Sequence, residues 1–303
     1  MRALHLVDSL PYAESNCFQH QLMAALRQVG HQVDTVALDD FRSAEGYDRI
    51  VCCLKQRTLC RQVDRVAAAA KQVPVVVYDQ DPWEAFRDGS PFKGTYQLAA
   101  SRLNVLTFAV TTKWWADLVS SKGLPSTFVR MWVQQRYVDR GPAHADRPIE
   151  VGFVGSVHPY RRKLFDRLEQ LGVRVTVQAG SSLPYPQYAE ALSQLKVFIH
   201  CEDAPVIVDG KEANLKDGLW IKDVEAAARG CFSIRNAGSG LDTYCTGIET
   251  VLTYTTEDEV PELLRAIRNM DPLERQATID RSVGYIQWVN GWHETALRLL
   301  TAG

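Results

Sequence analysis

The chain has 303 residues, 46% of them hydrophobic and 23% charged, with a formal net charge of −2. That is the make-up of an ordinary globular protein, too long for one core of usual size and comfortable as two domains of about 150 residues. Residues 1–140 carry 17 Lys/Arg against 14 Asp/Glu and the remainder 17 against 22, so a strongly basic nucleic-acid binder is excluded while a locally basic face on the first half is not.

No apolar run approaches the roughly 18 residues of a membrane span, and Met1–Asp8 turns polar too soon for a secretory signal, so a cytoplasmic protein is expected. The start reads instead as a strand, Ala3–Val7, followed by a polar loop Asp8–Asn16. Cys17–Val29 has helical periodicity, and Gly30 stands where a C-cap glycine belongs. Strands are expected at His31–Leu38 and Arg49–Leu54, with a helix through Val63–Ala70. Val73–Tyr78 is continuously apolar and β-branched, as in a buried parallel strand. Leu106–Val110 and Ser126–Met131 read as two more. Residues 139–148, with Gly and Pro and no periodicity, are the expected linker. The alternation then restarts: strand Ile149–Val154, helix Arg161–Leu171, strand Val173–Ala179, helix Tyr185–Leu195, strand Val197–His200, a polar loop, helix Leu219–Arg229 and strand Cys231–Ile234. A last helix is expected over about Glu274–Leu300. Strand–helix alternation of this kind predicts an α/β fold of two doubly wound, Rossmann-like halves: residues 1–140, residues 149–275, and a terminal helix over 276–303. Ligands in such folds bind at the carboxyl ends of the strands, where loops and helix N-termini converge.

Seven scattered cysteines (17, 52, 53, 60, 201, 231 and 245), with no Cys-x-x-Cys pair, read as reduced thiols rather than a zinc site. The histidines form no metal-binding array, and there is no Gly-x-Ser-x-Gly elbow for a nucleophilic serine.

Three segments carry candidate chemistry. The sharpest runs from Lys216 through Asp217, Lys222, Glu225 and the small residues Ala226–Ala228 to Gly230 and Phe232. A helix with a small-residue face, closed by glycine and a strand, is a common α/β unit; unaided, Glu225 would read as an exposed helix position. The segment resembles retaining GT-B glycosyltransferases of the group 1 type, and more closely their spore-maturation CgeB-like relatives, in which an acidic residue, seven intervening residues and a glutamate precede small residues and glycine. The resemblance implies that Glu225 binds the ribose hydroxyls of a donor nucleotide. Asp217 stands where the family often has a first glutamate, a departure at the sugar end, and Lys222 stands where relatives often have arginine.

The second segment is Ile149–Arg162, a strand, a Gly152-x-x-Gly155 turn and a helix opening on Arg161 and Arg162. Glycine lets a backbone approach a ligand, and arginine bonds phosphate oxygens in pairs. CgeB-like proteins show a similar arrangement, which implies Gly155 and Arg161 as diphosphate contacts, with Arg162 as the alternative. The third segment, Asp79-Gln80-Asp81-Pro82-Trp83, follows the buried strand; its alternatives are a turn with a core tryptophan or a site element. The relatives carry an Asp-x-Pro-Trp-like segment there, so the resemblance implies that Asp79 or Asp81 orients an acceptor hydroxyl or stabilises a cationic transition state.

With these, the loop bearing Tyr12 and Asn16, together with Trp83 and Trp114, makes up the expected acceptor wall. His200-Cys201-Glu202-Asp203 is expected to line the donor site without a role of its own. Arg57, Arg61 and Arg65 recur every fourth residue as a basic stripe, which is either solvated surface or the mark of an anionic acceptor.

The resemblance covers nearly the whole chain, Trp288, Trp292 and His293 of the last helix matching a segment that in GT-B enzymes returns to the N-terminal domain. It implies two Rossmann-like domains facing across a cleft. The implied activity is metal-independent, hexosyltransferase-like transfer of a sugar, with retention, from a nucleoside diphosphate sugar, UDP-sugar foremost, to an acceptor hydroxyl. The nucleotide-sugar is substrate and no cofactor is implied. The acceptor stays open among a glycan, a metabolite and a modified nucleic-acid base. A sugar-nucleotide epimerase and a non-enzymatic two-lobed binding protein share the shape, though Gly155–Arg161 favours a nucleotide over a free solute.

Overall fold

A computed structural model describes residues 1–15, 17–178, 183–214, 221–238 and 245–302. The chain divides into two compact units, one formed by Met1–Met131, Pro205–Ala213 and Gly291–Gly303, the other by Trp132–Ala204 and Asn214–Asn290.

The first unit is built on six parallel strands: β1 (Arg2–Val7), β2 (Gln32–Ala37), β3 (Arg49–Cys53), β4 (Val75–Asp79), β5 (Val105–Val110) and β6 (Ser126–Phe128), ordered β2-β1-β3-β4-β5-β6. Its helices are α1 (Leu10–Ser15), α2 (Cys17–Gln28), α3 (Gln56–Ala70), α4 (Thr95–Arg102) and α5 (Lys113–Ser121). The interior strands are Val- and Ile-rich because both faces are covered. In α3 the apolar spacing buries Leu59, Val63, Val66 and Ala70 and leaves Arg57, Arg61 and Arg65 exposed.

The second unit holds β7 (Ile149–Val154), β8 (Thr176–Gln178), β9 (Leu195–His200), β12 (Phe232–Asn236) and β13 (Val251–Tyr254), all parallel in the order β13-β12-β9-β7-β8. Between β9 and β12 the chain forms the two-stranded ribbon β10 (Pro205–Val208) and β11 (Lys211–Asn214), of which Pro205–Ala213 belongs to the first unit. The helices of the second unit are α6 (Pro159–Gln170), α7 (Tyr185–Ser193), α8 (Ile221–Ala228), α9 (Val260–Asn269) and α10 (Pro272–Val289). Among the described residues no helix is long and apolar enough to cross a membrane.

Three sequence readings change. Asp8–Asn16 is not wholly loop: the Ser9 hydroxyl accepts the Tyr12 N–H at 3.3 Å and Ala13 is fully buried, enough to set one helical turn and a half, α1. The stretch 202–214 is not only a polar loop: Asp209 and Gly210, with φ of 52° and 73°, make a tight turn whose two left-handed residues suit a hairpin. The last helix is two. Asn290, at φ 43°, ends α10, and α11 (Gly291–Thr301) starts afresh in the first unit, where the Trp292 indole donates to Gln21 Oε1 at 3.2 Å.

Candidate functional site

Strand order identifies one edge in each unit where ligands are expected. In the second unit β8 lies on one side of β7 and β9 on the other, so the order reverses between β7 and β9, and the loops leaving their carboxyl ends diverge. Gly155 follows β7 directly with φ +140°, a conformation side chains rarely adopt. A Cβ there would lie 3.3 Å from Lys222 Nζ and 3.3 Å from the Phe153 ring. The glycine thus leaves bare backbone before an ammonium, and the N-terminus of α6 follows four residues later. Lys222 comes from α8, its Nζ 5.2 Å from the Tyr188 ring centroid. Partial burial, Arg161 and Lys222 together lower the His158 pKa.

The small residues Ala226–Ala228 are wholly buried on α8, as the sequence pattern requires for close helix–sheet packing, and Glu225 on the same helix is 1% exposed. Beside it lies a chain of buried charges. His200, at the end of β9, has Nδ1 2.9 Å from Asp223 Oδ2 and Nε2 2.8 Å from Glu202 Oε1. Asp223 also accepts from Ser233 Oγ at 2.6 Å and from Arg235 Nη1 at 3.0 Å. Glu202 also accepts from the Tyr160 hydroxyl at 2.8 Å and from Arg161, while its N–H donates to Asn236 Oδ1 at 3.2 Å. Burial works to raise both carboxyls, but their bonds to His200, with the Arg161 charge at Glu202 and the Arg235 charge at Asp223, hold both below the usual range.

The resemblance assigns Arg161 to the diphosphate, yet its side chain is buried and all three of its nitrogens are bound within the protein: Nε to Cys201 O at 3.1 Å, Nη1 to Ser156 O at 2.7 Å, and Nη2 to Glu202. It ties the loop after β7 to the loop after β9. Arg162 is exposed and lines a separate hollow of about 170 Å³ with Phe165, Asp166, Glu169 and Arg174. The structure therefore brings Gly155 and Lys222 together and sets Arg162 apart. Asp217 and Asn16 lie outside the described residues.

In the first unit the order reverses between β1 and β3, and a cleft of about 330 Å³ opens beside that edge. Tyr12, Lys55, Arg57, Asp79, Asp81 and Trp83 are among the residues that line it. Lys55 Nζ sits 3.6 Å over the Tyr12 ring, and the Arg87 guanidinium 4.8 Å from the Trp83 ring. Asp79 is tightly held: Gln56 Nε2 and the Tyr96 hydroxyl donate to Oδ2 at 2.8 and 3.0 Å, and the Asp81 N–H to Oδ1 at 2.9 Å. Burial still raises its pKa. Trp114 is half-buried against Trp115, ring centroids 4.5 Å apart and edge to face, and does not line the cleft. Arg65 bonds the Leu38 carbonyl at 2.9 Å and pairs with Asp39 at 3.7 Å, whereas Arg57 reaches the cleft.

The six cysteines with described side chains are free thiols; burial raises the Cys231 thiol to about 11 and Cys52 to about 12. Among the described residues no group of three or more His, Cys, Asp or Glu side chains is arranged to hold a metal ion.

The profile of a family described as "Glycosyl transferase-like" matches residues 142–296. No curated protein matches the chain by sequence. Among solved structures, the chain is similar to HepE of Anabaena in complex with UDP and glucose, at 14% identity and TM-score 0.62 over 100% of both chains. It is also similar to the sucrose-phosphate synthase of Thermosynechococcus elongatus, at 13% identity and TM-score 0.64 over 99% of this chain and 97% of that one. A third is an alpha-glucosyltransferase in complex with UDP and a 13-mer DNA containing an HMU base, at 8% identity and TM-score 0.58 over 94% of each chain. At such identities the likeness is one of fold.

Proposed function

Since the chain belongs to the glycosyl transferase-like family, we propose that it transfers a sugar from a nucleoside diphosphate sugar to an acceptor hydroxyl, and that the second unit binds the donor. The observation that carries this reading is the meeting of Gly155 and Lys222 at the strand-order reversal of the second sheet. There the Lys222 ammonium and the first turn of α6 offset the charge of a leaving diphosphate, which grows as the glycosidic bond breaks. Glu225, as a double acceptor, takes the ribose hydroxyls. Arg161 acts at one remove, fixing the Ser156 carbonyl and so the shape of the turn. UDP is the donor nucleotide of first choice, because two fold relatives, HepE and an alpha-glucosyltransferase, were solved with UDP or UDP-glucose.

Transfer is tested by incubating the protein with UDP-, GDP-, dTDP- and CDP-sugars and following nucleotide release. Release of UDP is expected, undiminished by EDTA, because Lys222 and the helix terminus supply the charge a divalent ion would otherwise supply. Turnover abolished by EDTA and restored by manganese would move the diphosphate to Asp79 and Asp81. Conversion of the donor sugar without any nucleotide release would point to an epimerase.

The acceptor is assigned to the cleft of the first unit, where Asp81 and Asp79 face a space also bordered by Lys55 and Arg57. Lys55 and Arg57 stand there against the carboxylates Asp79, Asp81 and Glu84, so an acceptor carrying negative charge would have to meet the Lys55–Arg57 side. With a short DNA duplex as probe, log affinity is expected to fall linearly with log salt, by about 0.9 per phosphate contacted. Changing Arg57, Arg61 and Arg65 together to Ala is expected to flatten that slope. Affinity indifferent to salt and to the triple change would make the stripe plain solvated surface.

A further inference from the structure

We propose that His200 is a doubly protonated positioning residue, an imidazolium held between Asp223 and Glu202 that locks α8 to the loop after β9 and thereby sets Lys222 and Glu225. Its link to donor binding rests on the donor reading above; its protonation does not. Both ring nitrogens lie within 2.9 Å of carboxylate oxygens, and the imidazole is fully buried. A neutral imidazole has one N–H, so one of these contacts would set a nitrogen lone pair against an oxygen lone pair. A proton must therefore occupy each contact.

The other groups around the ring decide where the second proton resides. Asp223 already accepts from Arg235 on β12 and from Ser233; Glu202 accepts from Arg161 and Tyr160 on α6. Every one of these donors favours an ionised carboxylate. Among the described residues, Phe153 on β7 and Phe198 on β9 also face the ring, with centroids 6.5 and 5.6 Å away, and carry no charge. With the proton on His200, three cations face two carboxylates. Among the described residues these five groups sum to a single positive charge, and neither carboxylate lacks a donor. His200 is the only member of the cluster bonded to both carboxylates, so it joins the α8 side, through Asp223, to the β9 loop, through Glu202. Lys222 precedes Asp223 by one residue and Glu225 follows it by two.

The ring itself reports the protonation. In the full chain labelled with 15N-histidine, both His200 nitrogens are expected to resonate as N–H nitrogens at neutral pH; one unprotonated nitrogen would overturn the proposal. In Asp223→Asn the imidazolium loses a charged partner, and an unprotonated ring nitrogen is expected to appear. A ring whose protonation is the same in that variant would also contradict it. Calorimetry with UDP reads the positioning role, His200→Gln being expected to weaken binding by about tenfold, the worth of one hydrogen bond to a charged group. Equal affinity in a folded His200→Gln would end that role. If the wild type ignores UDP, the donor reading fails, while the ring spectrum still decides the protonation. If His200→Gln does not fold, the wild-type and Asp223→Asn spectra carry the test.

Discussion

Replacing Asp223 by Ala is expected to destabilise the second unit by about 3–5 kcal/mol, the penalty for removing one partner of a buried ion pair. Asp223 is fully buried and is shared by His200 and Arg235, both also fully buried. Its loss takes from Arg235 the buried carboxylate it pairs with, leaves His200 with Glu202 as its one carboxylate partner among the described residues, and takes from the Ser233 hydroxyl its acceptor. Asp223→Asn keeps the shape and one acceptor oxygen, so a smaller loss is expected. Hydrogen exchange of the β9 and β12 amides is the proper measure, because a two-unit chain need not unfold in one step. A change under about 1 kcal/mol, the scale of an exposed pair, would mean that the network contributes little. The pH dependence follows from the same groups. Both Asp223 and Glu202 have depressed pKa values in the folded state, so their contribution is present above the ordinary carboxylate range of about 4 and is lost as pH falls through and below it. Asp79 in the first unit is shifted the other way by burial, so acid relieves rather than adds to the cost of its charge.

The second large effect concerns ligand rather than stability. Glu225→Ala is expected to weaken UDP binding by roughly 1.5–3 kcal/mol, the value of hydrogen bonds to a charged group. Lys222→Ala is expected to weaken UDP and leave uridine nearly unchanged, because the lysine answers to the phosphates and the glutamate to the ribose. Uridine affinity falling only in Glu225→Ala would separate the two roles. Unchanged UDP affinity in a folded Glu225→Ala protein would remove Glu225 from the donor site and leave it as a packing residue of α8.

Much of the fold was legible because its cause is local. Val75–Val77 could only be a strand covered on both faces, and the Ala226–Ala228 run with Gly230 announced a helix lying tight on a sheet. The readings that failed turned on single residues acting against the pattern around them. Ser9 starts a helix within a polar stretch, Asn290 ends one in mid-pattern, and the Asp209-Gly210 turn was a hairpin signal obscured by its charged flanks. At the site, Gly155 and Lys222 are far apart in sequence and meet only because β7 and α8 share one edge. The ionic chain was harder still. Arg235 lies just past the strand expected at Cys231–Ile234 but within β12, and Asp223 looks like any helix surface residue. Nothing in their spacing says that His200 lies between Asp223 and Glu202, since that follows from strand order, which periodicity does not encode. Arg161 illustrates the opposite hazard: a residue type suited to phosphate is committed to two carbonyls and a carboxylate of its own chain.

Hydrogen exchange of the intact protein with and without UDP tests most directly whether the donor lies in the second unit. A nucleotide present at about 100 times its Kd stabilises the state it binds by about 2.7 kcal/mol. The predicted result is slowed exchange in the Gly155–Arg161 segment and along α8, with Glu225→Ala reducing the protection. Protection confined to Asp79–Trp83 and the first turn of α3, with α8 unaffected, would place the nucleotide in the first unit and contradict the account.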